Sequence, residues 1–116
     1  MIQPPAYVDG RFRLFRIEPD ESNDFPVEKL RDTKMDIWFS EISVFDRTRY
    51  ELGRSGIEVT MKIRIAQYKK INSQCMCMID GEMHRVYNAA HITNKNGFPE
   101  TELTLIKPDK KMEILK

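Results

Sequence analysis

A strong charge bias, a cysteine framework and long apolar runs are all missing from this sequence. Nineteen Lys and Arg against eighteen Asp and Glu leave a net charge of +1. A dedicated DNA-binding domain draws most of its affinity from phosphate neutralisation and carries a clear basic excess. That class is disfavoured here, and only local basic patches remain. The two cysteines, Cys75 and Cys77, cannot staple a fold, and as near neighbours on a strand they would close a negligible loop. They read as reduced thiols in a reducing compartment. No stretch approaches the roughly 18 apolar residues of a membrane-spanning helix. The first residues, Met1 to Pro5, lack the basic start and apolar core of a secretory signal. The expectation is a soluble protein with no membrane partner that stays in the compartment where it is made.

Catalytic signatures are equally scarce. There is no Gly-rich phosphate loop, no nucleophile elbow, no H-E-x-x-H helix and no C-x2-C pair. Asp20, Ser22 and Asp24 imitate the start of a calcium loop, but Phe25 stands where that loop needs glycine. No enzyme, cofactor or metal is expected on these grounds.

What is present is one domain's worth of chain, 116 residues with 41% hydrophobic and 32% charged side chains. Residues 1–10, with Pro4, Pro5 and Gly10, read as an arm. Residues 11–17 make a first strand whose alternation slips between Leu14 and Phe15, which implies a bulge or burial on both faces. Residues 18–34 are polar, acidic and broken by Pro19 and Pro26, and read as a long loop with a helical turn at 27–30. A second strand follows over 35–45. Residues 46–56 break the pattern again, with a short helix over 47–52 capped by Asp46. From Ile57 to Ile65, five apolar residues alternate with Glu58, Thr60, Lys62 and Arg64, four of the five being β-branched, which leaves little room for a helix. Asp80-Gly81 centres a type I′ hairpin over 74–90 and sets Ile79 opposite Glu82, Met78 opposite Met83, Cys77 opposite His84 and Cys75 opposite Val86. A turn at 94–97 leads to a last strand over 100–106. Residues 108–116 read as a flexible lysine-rich tail, with Met112, Ile114 and Leu115 available to a partner. The fold class is all-β: a small antiparallel barrel or sandwich of about six strands with long loops.

Two constellations invite chemistry. The hairpin register puts Cys75, Cys77 and His84 on one face, a zinc-like donor set, but the fourth ligand is missing because His91 lies beyond the paired core. The same trio read as nucleophile and base lacks the helix N-terminus or electropositive cleft that activates a thiol. Buried thiols beside a core histidine are the simpler reading. Arg11, Arg13 and Arg16 interleave with Phe12 and Phe15, as on the strand of an OB-like single-stranded nucleic-acid module. The competing reading has the arginines in water and the phenylalanines in the core, and the net charge favours it.

The order of features resembles one family, the head closure or head–tail adaptor proteins of long-tailed bacteriophages and prophages. The likeness runs from Gly10 to about Pro108. It rests on the Trp strand Asp36-Ile37-Trp38-Phe39-Ser40-Glu41-Ile42, then the charged segment Arg47-Thr48-Arg49-Tyr50-Glu51-Leu52. Next come Thr60-Met61-Lys62-Ile63-Arg64-Ile65 with Tyr68 after it, the Asp80-Gly81 hairpin and a Glu-Leu-rich final strand. His84 stands where the family usually has tyrosine, and Val86 where it has isoleucine.

The resemblance implies a non-catalytic β-barrel that assembles into a ring beneath the portal vertex of the virion. It would meet a portal-bound head–tail adaptor on one side and a tail terminator or tail completion protein on the other. Double-stranded DNA would pass through its channel, and the chain would be made in the bacterial host cytoplasm. Within that frame, Arg47, Arg49, Tyr50, Glu51 and Arg54 are expected on a channel-closing loop, a mobile element whose copies pair their backbones in the ring. An ordinary solvated loop is the competing reading. Asp20, Glu21, Asp24 and Glu28 are expected on a loop that contacts the adaptor, and this loop is also a rival for the plug.

Overall fold

The computed structural model describes residues 5–20 and 27–114. They form six strands and one helix: β1 (Gly10–Asp20), β2 (Val27–Ile42), α1 (Asp46–Arg54), β3 (Val59–Ala66), β4 (Cys75–Ile79), β5 (Glu82–Thr93) and β6 (Pro99–Ile106). The strands make a single antiparallel sheet in the order β1-β2-β3-β6-β5-β4, and β4 pairs with β1 to close it into a barrel. The all-β expectation holds. Closure is partial along the longest strand, since β2 meets β3 only through Ser40, Glu41 and Ile42.

The alternating segment behaves as its pattern dictates. Val59, Ile63 and Ile65 are buried, and Met61, Ile63 and Ile65 stand opposite the fully buried Leu105, Leu103 and Thr101 of β6. Asp80 and Gly81 both take positive φ, 51° and 80°, as a type I′ turn requires. The expected pairs Ile79–Glu82, Met78–Met83 and Cys77–His84 form, but Cys75–Val86 does not, because the β4–β5 pairing ends at Met76–Arg85.

The acidic connection is where the sequence reading fails. Residues 18–20 and 27–34 are strand and not loop: β1 runs on to Asp20, and β2 starts at Val27, so residues 27–30 are strand rather than a helical turn, while residues 21–26 lie outside the described residues. Pro19 sits opposite Glu28 near the far end of this hairpin, beyond the region where β4 pairs with β1, and a missing N–H is tolerated at such a position. The slip at Leu14/Phe15 is real. Leu14 pairs with Met35 and Phe15 with Asp32, so Thr33 and Lys34 form a bulge on the partner strand, with Lys34 at φ 62°. The Asp32 and Thr33 side chains satisfy the displaced N–H groups of Lys34 and Met35.

Strand β1 is buried on both faces because there are two apolar clusters. Phe12 and Leu14 face the barrel interior with Phe39, Ile63, Cys77, Val86 and Leu103. Phe15 and Ile17 face the other way, onto Leu30 and Met76, flanked by Met78, Met83 and Met112. Met112 belongs to the tail, which is docked rather than loose: Glu113 O accepts from Leu30 N at 2.8 Å, and Ile114 bridges Leu30 in parallel. Leu115 lies outside the described residues. The arm is docked too. Asp9 N donates to Phe39 O at 3.0 Å, and Ser40 Oγ donates to Ala6 O at 3.0 Å.

Candidate functional site

The segment 46–56 is mostly helix. Asp46, expected as the N-cap, instead occupies the first turn, where its charge suits the helix dipole, and Phe45 takes the cap position with no side-chain cap bond. The helix stops where Gly56 adopts φ +79° and Gly56 N donates to Gly53 O. None of its residues is buried. Arg47 Nε pairs with Glu51 at 2.9 Å one turn on, and the Arg54 guanidinium lies 5.9 Å from the centre of the Tyr50 ring. Arg49 is an anchor, donating to Val59 O at 2.8 Å and so tying the helix to β3. Phe45 and Tyr50 stay 75% and 67% exposed. Backbone pairing between copies, the expected plugging mechanism, is therefore corrected: these N–H and C=O groups are used within the helix, so any contact made here is made by side chains.

The four acidic candidates are split. Glu21 and Asp24 lie outside the described residues, as do Ser22 and Phe25. Asp20 ends β1 and pairs with Lys29 Nζ at 2.7 Å, which occupies the first position of the calcium-like sequence with a lysine. Glu28 lies on β2 at 3.8 Å from Lys110 of the tail. Asp20 and Glu28 belong to a strand pair and not to a free loop.

The interleaved first strand resolves toward its simpler reading. Phe12 and Phe15 are 1% and 3% exposed, so neither presents a face for a base to stack on. Arg13 bridges Asp32 and Asp36, and its guanidinium holds the Asp36 carboxyl below the usual carboxylate range. Arg16 donates to Lys70 O. The aromatic that does face outward is Trp38, at 54% exposure, with the Arg11 guanidinium 5.7 Å from its ring centre. At least partial burial of Trp38 is expected from its apolar area, and about half of it is covered. Strand parity keeps it from going further, because Trp38 sits between the inward-facing Ile37 and Phe39 and opposite the outward-facing Arg11.

Cys75 and Cys77 are both fully buried in the barrel core. His84 is nearly buried, and its Nδ1 shares a 2.8 Å hydrogen bond with Thr60 Oγ1. Burial lowers its pKa, with Glu82 opposing. Among the described residues, no three His, Cys, Asp or Glu side chains come together as a metal site, and no helix is long and apolar enough to cross a membrane.

The polar network that the sequence did not reveal centres on Glu100, which is 2% exposed. It accepts from Tyr7 Oη at 2.7 Å and from Asn94 Nδ2 at 2.9 Å, while Arg64 lies 3.9 Å away and binds Glu102. These groups line a cleft of about 590 Å³ between the arm and the 94–96 turn. Its parts are far apart in sequence, so no local signal marks it. Compared with known proteins, the chain matches no family model, and no curated protein matches it.

Proposed function

We propose that this chain is a structural subunit of a bacteriophage neck, joining the DNA-filled head to the tail and closing the DNA channel as a ring. The observation that carries the reading is α1, a helix that buries none of its own residues and leaves Phe45 and Tyr50 in water. A projecting element with exposed aromatics has no reason to persist for the monomer's sake, and aromatic residues and arginine are what protein interfaces favour. The order of motifs that resembles head closure proteins supports the same reading, since the Trp38 strand, α1, the Thr60–Ile65 motif and the Asp80-Gly81 hairpin follow one another along the chain of a single closed sheet.

In this reading the portal-bound adaptor and the tail proteins are the partners above and below the ring, and DNA passes through it. The charged side chains of α1, from Arg47 to Arg54, face the channel. A net charge of +1 suits a passage that lets DNA slide. The test is assembly. Heads made without the protein should leak their DNA and fail to join tails, and purified protein should restore both. Heads that keep their DNA and join tails without it would overturn the reading.

A second reading, a single-stranded nucleic-acid module, keeps one observation in its favour: the exposed Trp38 with Arg11 beside it. It requires salt-sensitive oligonucleotide binding that Trp38→Ala abolishes.

A further inference from the structure

The methionine-rich cluster on the outside of the barrel is capped by very little. Strand β6 ends at Ile106, and Lys107 N still donates to Glu58 O at 2.9 Å. Beyond Pro108, the polar and backbone ties to β2 among the described residues are the Leu30 N to Glu113 O bond, the Leu30–Ile114 bridge and two ion pairs, Lys110–Glu28 and Lys29–Glu113. Both pairs have at least one half-exposed partner, and such pairs hold weakly in water. Among the described tail residues, Met112 packs against the buried cluster of Phe15, Ile17, Leu30 and Met76. Even with the tail seated, a groove of about 870 Å³ stays open beside it, lined in part by Met78, Met83 and Lys111.

We propose that the segment 108–114 is exchanged between copies, each tail capping the methionine cluster of its neighbour. The occupant is a second copy of this chain because the cap it would supply is already displayed in place. The same Met112, the same Glu113 carbonyl and the same charge pairs, basic Lys110 to acidic Glu28, fit the same groove from either chain. An exchanged element repeats its own contacts, so exchange sacrifices none of them, and it costs only the opening of a weakly held end. Pro108 stiffens the hinge and favours an extended departure from β6 over a tight return. Methionine side chains adapt to the small shifts that a neighbour's approach would impose. This rests on the ring reading above, because a ring holds neighbouring tails at high effective concentration and turns exchange into a link between subunits.

The test uses the native chain. Isotope-labelled and unlabelled protein are mixed in equal amounts, allowed to assemble on heads or at high concentration, and treated with a carbodiimide, which joins a lysine amine to a carboxylate in direct contact. The peptide linking Glu28 to Lys110 is then read by mass spectrometry. Mixed-isotope linked peptides should appear in assembled or concentrated protein and give way to single-isotope ones on dilution. Linked peptides of a single isotope within assembled rings would overturn exchange and leave the neck reading standing. Failure to recover any Glu28–Lys110 link would overturn it as well, since the tail would not be seated on β2. A protein that never self-associates and links only within one chain would remove both readings together.

Discussion

The Tyr7 hydroxyl donates to the carboxylate of Glu100 at 2.7 Å across 93 positions of sequence, tying the arm to the last strand of the barrel. The bond satisfies a buried acid and fixes the arm beside Phe39, where Asp9 also donates its N–H to a backbone carbonyl and accepts from Glu41 N. Burial, with the nearby carboxylate adding to it, pushes the Tyr7 phenol up to about 12 from the usual 10.0. A pKa raised on folding means the neutral phenol is favoured in the native state. Its stabilisation is complete below pH 10 and is lost as the pH rises through about 12. Tyr7→Phe should cost about 1 to 2 kcal/mol near neutral pH, in line with hydrogen bonds to charged groups. The gap between variant and wild type should shrink over that alkaline window. Chemical denaturation at a series of pH values measures both, and a gap that widens with pH would contradict the assignment.

Ile63 and Trp38 make a paired comparison of inward and outward positions. Ile63 is fully buried, so truncation to alanine should cost about 2 to 5 kcal/mol. Trp38 is the larger residue but half exposed, and Trp38→Ala should cost about 1 kcal/mol or less, mostly the loss of the Arg11 contact. Reversal of that order in equilibrium unfolding would mean the strand faces are wrongly assigned.

The same pair shows what the sequence could and could not convey. The period of two and the Asp80-Gly81 turn are local signals: the turn forms as expected, and the alternation holds in β3, which starts at Val59 rather than Ile57 and shifts register between Val59 and Met61. Strand parity also speaks for an outward Trp38, but apolar size argues the other way, and parity wins because a sheet turns successive side chains to opposite faces. The long hairpin was hidden by its composition. Acids and two prolines read as a loop, yet Asp20 and Glu18 are matched by Lys29 and Arg31, diagonal neighbours on the partner strand, at 2.7 Å each. The docking of Met112 and the Tyr7–Glu100 bond depend on partners far along the chain, which no window of sequence contains.

Gly10 gives a prediction about close approach. It pairs with Phe39, and a Cβ built on it would lie 2.8 Å from the ring's Cζ. The ring is buried and packed near Phe12, so it has little room to give way. Gly10→Ala should therefore destabilise the fold by about 1 to 3 kcal/mol, as overpacking does elsewhere. Combining it with Phe39→Leu should recover part of that loss in the same assay, and no recovery would place the strain elsewhere.

Cys75 and Cys77 should be chemically silent. Both are fully buried, and burial, followed by the neighbouring Cys75, pushes the Cys77 thiol well above its usual value. A sulfur with no exposed surface cannot be reached, so neither should react with a disulfide reagent in the native protein at mildly alkaline pH, while both should react in denaturant. Rapid modification of the native chain would show that the barrel opens far more readily than its core packing implies.

Helix α1 separates stability from function, and its removal is the sharpest test of the proposed role. Because none of its residues is buried, replacing residues 46–56 with a tight turn should change the unfolding free energy by only about 1 kcal/mol. What the barrel loses is the Arg49 bond to Val59 O, and what it gains is a shorter connection. Function should respond quite differently. If the side chains of Arg47, Tyr50, Glu51 and Arg54 meet across a ring, heads carrying the shortened protein should assemble and then leak their DNA. Arg49→Ala is the milder variant: it keeps the helix but frees it from β3, and it should weaken retention without abolishing assembly. DNA retained by heads after ultracentrifugation reads both. Full retention with the shortened protein, on a barrel shown to be folded by its thermal transition, would move the gate away from α1.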